Sequence, residues 1–503
     1  MIRTKLLGTG AAAAFLLILG DTRATGQQPT IELPVNQSTS YKGEEFLLIG
    51  NAVRGAGEPV IAINPKNPNN IIVGAMANSN YVEGEPIGTG QQRVSVEARV
   101  KYRNTPGSSI SVYAVSHDRG RTWQFIDDPF RDAFKMNGTA DAFVGAGVDG
   151  RLFMGAMNFF PMNASPQMLE LEKEGAGFPG LLFGAIDIAW SNDEGKTWGA
   201  PVHVMGQASH PMEYGPGVKP VFRGKTPYDR PYLVTDLSTG TIYVPGHGSG
   251  GEPPHGETFI RASKDEGQTW GPIYTFDSPD YPGGGGSRPA AAHGVLAGAY
   301  IASSVPPDVG AKCPCLVFAA SRDEGKTFER HVVQAALPAQ GGPGGGGGGT
   351  GLAADPSHPG RFAIMRTTGG NTEIQVYVTE DYGKTWKGPV KAGGTPGATI
   401  TKPDIGYSPR GDLAIMWLAV NSDQTYTCWS TVSHDGGSEF SRSLQVSRAP
   451  SPPRSAIKDR GNNWDGDDLS SLAVDSDYVH IVWADGRAGF LGAWYARVPL
   501  AGY

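Results

Sequence analysis

The sequence predicts an all-β repeat protein, and three observations carry that reading. One turn is written six times, as SHDRGRTW from Ser116, SNDEGKTW from Ser191, SKDEGQTW from Ser263, SRDEGKTF from Ser321, TEDYGKTW from Thr379 and the eroded SHDGGSEF from Ser433. Its aspartates, Asp118, Asp193, Asp265, Asp323, Asp381 and Asp435, follow one another at intervals of 75, 72, 58, 58 and 54 residues, and recurrence on that scale marks a repeat architecture. Apolar residues alternate around the turn, as in ISVYAVS before the first copy and Trp123 with Phe125 after it, which is the period of a half-buried strand.

Each copy has the chemistry of a tight hairpin. The Asp carboxylate accepts hydrogen bonds from backbone amides two residues on, and the Gly two positions later tolerates positive φ. The six aspartates are therefore expected to form turns and not to act on a ligand.

A second motif precedes the turns. It reads EPVIAINPKNPNNIIVGAM from Glu58, DAFVGAGVDGRLFMGAM from Asp141, RPYLVTDLSTGTIYVPG from Arg230, RPAAAHGVLAGAYIASS from Arg288, GLAADPSHPGRFAIMRT from Gly351, KPDIGYSPRGDLAIMWLAV from Lys402 and DLSSLAVDSDYVHIVWADGR from Asp468. Each is a strand, a polar turn and a second strand. The seventh unit runs on into GAWYARVPL without a box and so shows three strands; the short apolar core of GEEFLLIGN, Gly43 to Asn51, is the candidate fourth.

Ser-x-Asp-x-Gly-x-Thr-Trp resembles the Asp box, or BNR repeat, of the sialidase-like β-propeller superfamily, and the repeats cover roughly residues 58 to 499. The resemblance implies one β-propeller of four-stranded antiparallel blades with the boxes in the turns between third and fourth strands. Seven openings favour seven blades, and the six-bladed sialidase wheel is the alternative. Pairing the last blade with the N-terminal segment would remove its open edge. The expected organisation is a signal peptide over residues 1–25, a flexible N-terminus over 26–45 and the propeller over 46–503.

The N-terminus, MIRTKLLGTGAAAAFLLILGDTRATG, has two early cations, an apolar run from Leu6 to Leu19 and small residues around Ala24. This is a secretory pattern, and the run is short for a membrane span, so a secreted or periplasmic protein without a transmembrane anchor in the mature chain is expected. A net charge of −7 gives no reason to expect nucleic acid as a partner. Only Cys313, Cys315 and Cys428 occur; Cys-Pro-Cys is neither a zinc nor a redox spacing, and packing or a bridge to Cys428 is the expected use. The glycine runs at Gly283 to Gly286 and Gly341 to Gly349 read as mobile linking loops.

Strand direction alternates at each turn of a blade. If the boxes mark one rim, the loops between second and third strands and between blades lie on the other face. The long segments Ala77 to Ser108, Asn158 to Phe183, Gly206 to Asp229 and Ala449 to Asp467 fall there, and loops on a rigid scaffold commonly carry binding residues. The openings also place a charged residue just before most innermost strands, at Glu58, Asp141, Arg230, Arg288, Lys402 and Asp468. Asp229, Asp404 and Asp467 stand beside them, and Arg366 ends the second strand of unit five. Such a ring suits an acidic or polyhydroxylated ligand, since guanidinium groups grip a carboxylate through two bonds and a buried carboxyl serves as acid or base. The same ring also suits structural ion pairs lining a solvated tunnel.

The resemblance to sialidases implies three arginines on the sugar carboxylate, a tyrosine nucleophile aided by a glutamate, and an aspartate acid-base. Arg230 and Arg288 take the second and third arginine places, while Gly57-Glu58-Pro59-Val60 has Glu58 at the first. Glu213-Tyr214, upstream of Arg230, is the candidate acid and nucleophile pair. The candidate catalytic groups are thus Glu58, Asp229, Glu213, Tyr214 and Asp404. The candidate binding groups are Arg230, Arg288, Arg366, Lys402, Asp467, Asp468 and Trp464, the last a sugar-stacking ring in NNWDGDD. No cofactor is required; the same Asp-rich stretch is a place for structural Ca²⁺, without the spacing of an EF-hand loop. Asp485 and Arg487 in VWADGR read as a turn and an ion pair between blades. The expected function is that of a secreted glycoside hydrolase or other carbohydrate-active enzyme acting on acidic or complex glycans or glycoconjugates. The alternative is a non-catalytic propeller that binds glycan or protein at the cell surface, because a fold does not fix an activity.

Overall fold

The computed structural model describes residues 30–32, 44–50, 55–78, 110–126, 130, 138–159, 184–206, 230–247, 258–284, 286–337, 349–368, 370–453 and 469–503. These residues form seven antiparallel sheets, the blades of a seven-bladed propeller. The six-bladed alternative is thereby set aside. Blade six shows the plan, with Thr399–Tyr407, Leu413–Val420, Tyr426–Ser433 and Leu444–Gln445 paired in that order. Its second strand, LAIMWLAV, is buried along almost its whole length, because neighbouring blades cover both of its faces and a continuous apolar run is what such a strand requires. The core lies between the blades: Met365 and Val376 of blade five pack with Ile405, Ile415 and Trp417 of blade six in one cluster.

Every box occupies the turn from third to fourth strand, as between Ile110–Ser116 and Thr122–Ile126 in blade one. The Asp118 carboxylate accepts the Thr122 amide at 2.8 Å and the Thr122 hydroxyl at 2.7 Å, while the Ser116 hydroxyl accepts the Gly120 amide at 2.8 Å. Asp193, Asp265, Asp323 and Asp381 repeat the same two bonds from their threonines. In the eroded sixth copy Glu439 replaces the threonine, and Asp435 accepts the Ser433 hydroxyl at 2.6 Å and the Ser438 and Glu439 amides, without a threonine hydroxyl. Burial works to raise the Asp193 pKa, but the bonds from Thr197 and Ser191 outweigh it and bring it from 3.8 to about 2. The carboxylates are thus satisfied by their own turn.

The residue after each box aspartate is left-handed, and several of these reach the preceding blade. Asn67 of blade one donates to Glu194 at 2.8 Å, Arg151 of blade two pairs with Glu266 at 2.9 Å, and Lys264 of blade three pairs with Glu324. Arg119 does the same across the closure of the ring, to Asp475 and Asp477 of blade seven at 2.8 Å each. The box is therefore both a turn and a latch between blades.

The ring closes as the strand count requires. Glu44–Ile49 pairs with Gly492–Pro499 as the outermost strand of blade seven. Glu45 is fully buried there, ion-paired with Arg487 and accepting the Arg448 amide at 3.0 Å, and burial raises its pKa. Arg487 also pairs with Asp485 at 2.8 Å; both of its partners belong to blade seven, so the ion pair of VWADGR lies within a blade and not, as expected, between blades. A further short strand, Thr30–Glu32, lies on the outer edge of blade one.

Two sequence expectations are corrected. Cys313 and Cys315 form a disulfide with each other, their Cα atoms 4.4 Å apart, whereas Cys428 is free and buried in the third strand of blade six. Gly283 and Gly284 are not a free loop: they pair with Ala302 and Ile301 of blade four. A Cβ at Gly283 would stand 2.3 Å from the Ile301 carbonyl oxygen, so the run packs against a strand where no side chain fits. Residues 341–348 of the second run lie outside the described residues, as do the expected signal peptide and most of the long loops. Among the described residues no helix is long and apolar enough to cross a membrane.

Candidate functional site

The turns between first and second strands meet the boxes; Asn67, for example, sits in the first such turn of blade one and Asp475 in that of blade seven. The first residues of the innermost strands therefore lie at the opposite end of the ring axis. There the seven innermost strands surround a cavity of ≈ 790 Å³. Its lining includes Val60, Val144, Tyr232, Arg288, Leu352, Asp404 and Ser471, one from each blade in turn.

Backbone geometry aims charge at this end. Glu58, Asp141, Arg230 and Lys402, equivalent positions in four blades, are left-handed with φ of 51, 46, 47 and 49°. A non-glycine residue pays on the order of 1–2 kcal/mol for that conformation, and its recurrence at one place in the blade is strain of the kind that marks a site. In three of the four blades the residue lies within a break in strand register, between Gly57 and Val60, Ala140 and Phe143, and Thr401 and Asp404. Bulges of this kind re-aim a side chain.

Arg288 is the best defined cation of the cavity. Its guanidinium lies 4.4 Å over the ring of Tyr232 in blade three. Its Nη1 is 3.6 Å from Asp404 Oδ2 in blade six and 3.4 Å from Ser471 Oγ in blade seven. The Asp404 carboxylate is itself fixed by the Leu472 amide at 2.9 Å, and Asp141 fixes the Arg230 amide at 3.0 Å. Burial works against the Arg288 charge, but Asp404 and Tyr232 outweigh it and keep the group cationic. Burial raises the Tyr232 phenol, with Arg288 opposing, so the ring faces Arg288 as a neutral group at ordinary pH. The side chain of Arg288 is 27% exposed, enough for a ligand to reach it.

Of the residues expected from sequence, Arg230, Arg288, Lys402 and Asp404 gather at the cavity. Glu58 and Asp141 are buried, 5% and 8% exposed, and are not among the lining residues. Arg366 is 3% exposed and stands in the second strand of blade five between Thr350 and Gln375, where its charge opposes the burial that raises the Tyr377 phenol; it is not among the lining residues. Asp229, Glu213, Tyr214, Trp464, Asp467 and Asp468 lie outside the described residues. Tyr232, Ser471, His247 and Thr258 line the cavity without having been singled out. The signal for Tyr232 was its place two residues after Arg230, which puts both on one side of an extended chain. Among the described residues no three His, Cys, Asp or Glu side chains cluster as a metal site.

Fold and site together define an Asp-box propeller: seven antiparallel blades, Asp boxes on one rim and an axial cavity lined by Arg230, Arg288 and Lys402 at the other. No family model and no curated protein matches the chain. Among solved structures it is similar to a protein of unknown function from Dyadobacter fermentans, with 14% identity over 91% of this chain and 98% of that one and a TM-score of 0.47. It is similar to a Hadza microbial sialidase, at 13% identity over 94% of this chain and 99% of that one, with a TM-score of 0.43. A leech intramolecular trans-sialidase shares 13% identity over 75% of this chain and 67% of its own, with a TM-score of 0.41. Likenesses of this extent assign no role to any residue of the chain.

Proposed function

We propose that the chain is a carbohydrate-active propeller that takes the carboxylate of an acidic glycan or glycoconjugate in its axial cavity. The observation that carries the reading is the lining around Arg288: among the described residues, its guanidinium stands in the cavity with Arg230, Lys402 and the carboxylate of Asp404, in a protein of net charge −7. Cations kept in a concave site of an otherwise acidic protein favour an anionic ligand. Arg288 supports it further, because stacking on Tyr232 and the contact with Asp404 fix the guanidinium before a ligand arrives, which lowers the ordering cost of binding. Export through residues 1–25 and a structural Ca²⁺ on the Asp-rich stretch 462–468 belong to the same proposal.

Hydrolysis is the second reading, favoured by the meeting of a tyrosine, an arginine and a carboxylate at Tyr232, Arg288 and Asp404. Binding stands ahead of it for two reasons. A phenol raised by burial is a poor nucleophile, and Glu58 occupies the place of the first arginine in the sialidase scheme. The test is a panel of sialosides, uronides and neutral oligosaccharides scored for binding and for release of sugar, with the wild type and Arg288→Ala. Acidic members should bind and neutral ones should not, with affinity lost at least about tenfold in the variant, the order of one charge-assisted contact. Equal binding of neutral glycans, or an unaffected variant, would refute the reading. Sugar release by the wild type would move the conclusion to hydrolysis.

A further inference from the structure

We infer that the ligand is longer than one sugar, and that its second unit lies in a side arm of the cavity between blades three and four. This deepens the proposed function and rests on it. Among the described residues, blade three alone contributes the ends of its second and third strands to the lining, through Pro245, His247 and Thr258; the other blades contribute from their innermost strands and the segments leading into them. The cavity is therefore not symmetric about the ring axis.

Strand periodicity says which way the arm runs. Tyr243 packs with Leu296 and Tyr300 of blade four, whereas Val244 packs with Phe153 and Ile188 of blade two. Side chains alternate along a strand, so Pro245 and His247 share the side of Tyr243 and face blade four. Thr258 is the cross-strand partner of His247 and lies on that same side. Opposite them the lining is Gly286, Ser287 and Arg288.

The glycine run keeps that second wall low. Gly283 and Gly284 lie along Ala302 and Ile301, and the Ser287 amide donates to the Ala299 carbonyl at 2.7 Å. The segment is tied to its own blade and brings no side chain before Ser287 to fill the cleft. What remains is a slot with Arg288 at its inner end and an apolar proline, an imidazole and a hydroxyl along one wall. Those groups suit a sugar ring, which presents an apolar face for packing and hydroxyls for hydrogen bonding. A volume of ≈ 790 Å³ lies in the upper part of the roughly 300–1,000 Å³ range of small-molecule sites, which leaves room beside a sugar held on Arg288.

The test is affinity as a function of chain length. Sialic acid and glucuronic acid serve as single-sugar probes, and a trisaccharide and a tetrasaccharide carrying the same acids at their non-reducing ends serve as long ones. In the wild type the long probes should bind on the order of tenfold more tightly than the single sugars. His247→Ala should collapse that ratio toward one, with thermal melting showing that the variant is folded. The wild-type ratio stands as a test even if the variant does not fold. Equal affinity for long and short probes would overturn the inference and leave the proposed function standing. Failure of every acidic probe to bind would overturn the proposed function, and the inference with it.

Discussion

Asp475 links the closure of the ring to a measurable pH dependence. It stands in the first turn of blade seven with its side chain 2% exposed, and it receives Arg119 of the first box at 2.8 Å and the buried His480 Nε2 at 3.1 Å. Burial would raise its pKa; hydrogen bonds from His480 and from the Asp477 and Tyr478 amides bring it from 3.8 down to about 2, joined at acid pH by the charge of His480, whose own pKa burial lowers. At 1.36 kcal/mol per unit, that difference makes the ionised form worth about 2 kcal/mol to the folded state. The folded pKa is depressed, so the contribution is present above pH 3.8 and is lost as pH falls through about 2. Asp475→Asn should therefore destabilise the propeller by about 2 kcal/mol at pH 7, with the difference shrinking below pH 4 and vanishing near pH 2. The assay is urea denaturation of both proteins across pH 2–7, read as the shift in midpoint at common slope. A difference that is absent at pH 7, or as large at pH 2.5 as at pH 7, would refute the electrostatic account of this latch.

Two other perturbations follow from the same geometry. Asp381→Ala removes the bonds from the Thr379 hydroxyl and the Thr385 amide and hydroxyl, and Asp435→Ala those from the Ser433 hydroxyl and the Ser438 and Glu439 amides, so each should cost about 1–2 kcal/mol; thermal melting of the two variants checks it, and an unmoved midpoint in either would contradict the turn-forming role. Glu45→Ala should cost about 3 kcal/mol, because it leaves Arg487 and Arg448 facing an uncharged strand at the blade-seven closure, and a midpoint shift close to zero would contradict that assignment.

The fold was legible because its corners admit few residues. A turn that must accept two amides, a hydroxyl and a left-handed glycine writes Ser, Asp, Gly and Thr at fixed spacing, and six copies survive as text. The seventh blade was legible by subtraction, since three strands at the end and one at the start make four. Arg230, Arg288, Lys402 and Asp404 stood out because charge ahead of an apolar strand breaks the local pattern. What brings Tyr232 under Arg288, or Ser471 beside it, is the meeting of blades three, four and seven around an axis, and no local pattern encodes contacts between segments so distant in the chain, 183 residues for Arg288 and Ser471. His247 and Thr258 were hidden for the same reason: each looks like an ordinary strand end until the neighbouring blade supplies the other wall. The glycine run misled in the opposite direction, because absent side chains read as a free linker and here mark close contact with a strand.

The central claim, that the axial cavity holds an anionic sugar on Arg288, is tested most directly by a crystal structure of the protein with an acidic oligosaccharide bound. The sugar carboxylate should lie within hydrogen-bonding distance of the Arg288 guanidinium, with the next sugar between His247 and Ser287. A ligand seated on the rim that carries the Asp boxes, or one in the cavity with its carboxylate turned away from Arg288, would contradict it.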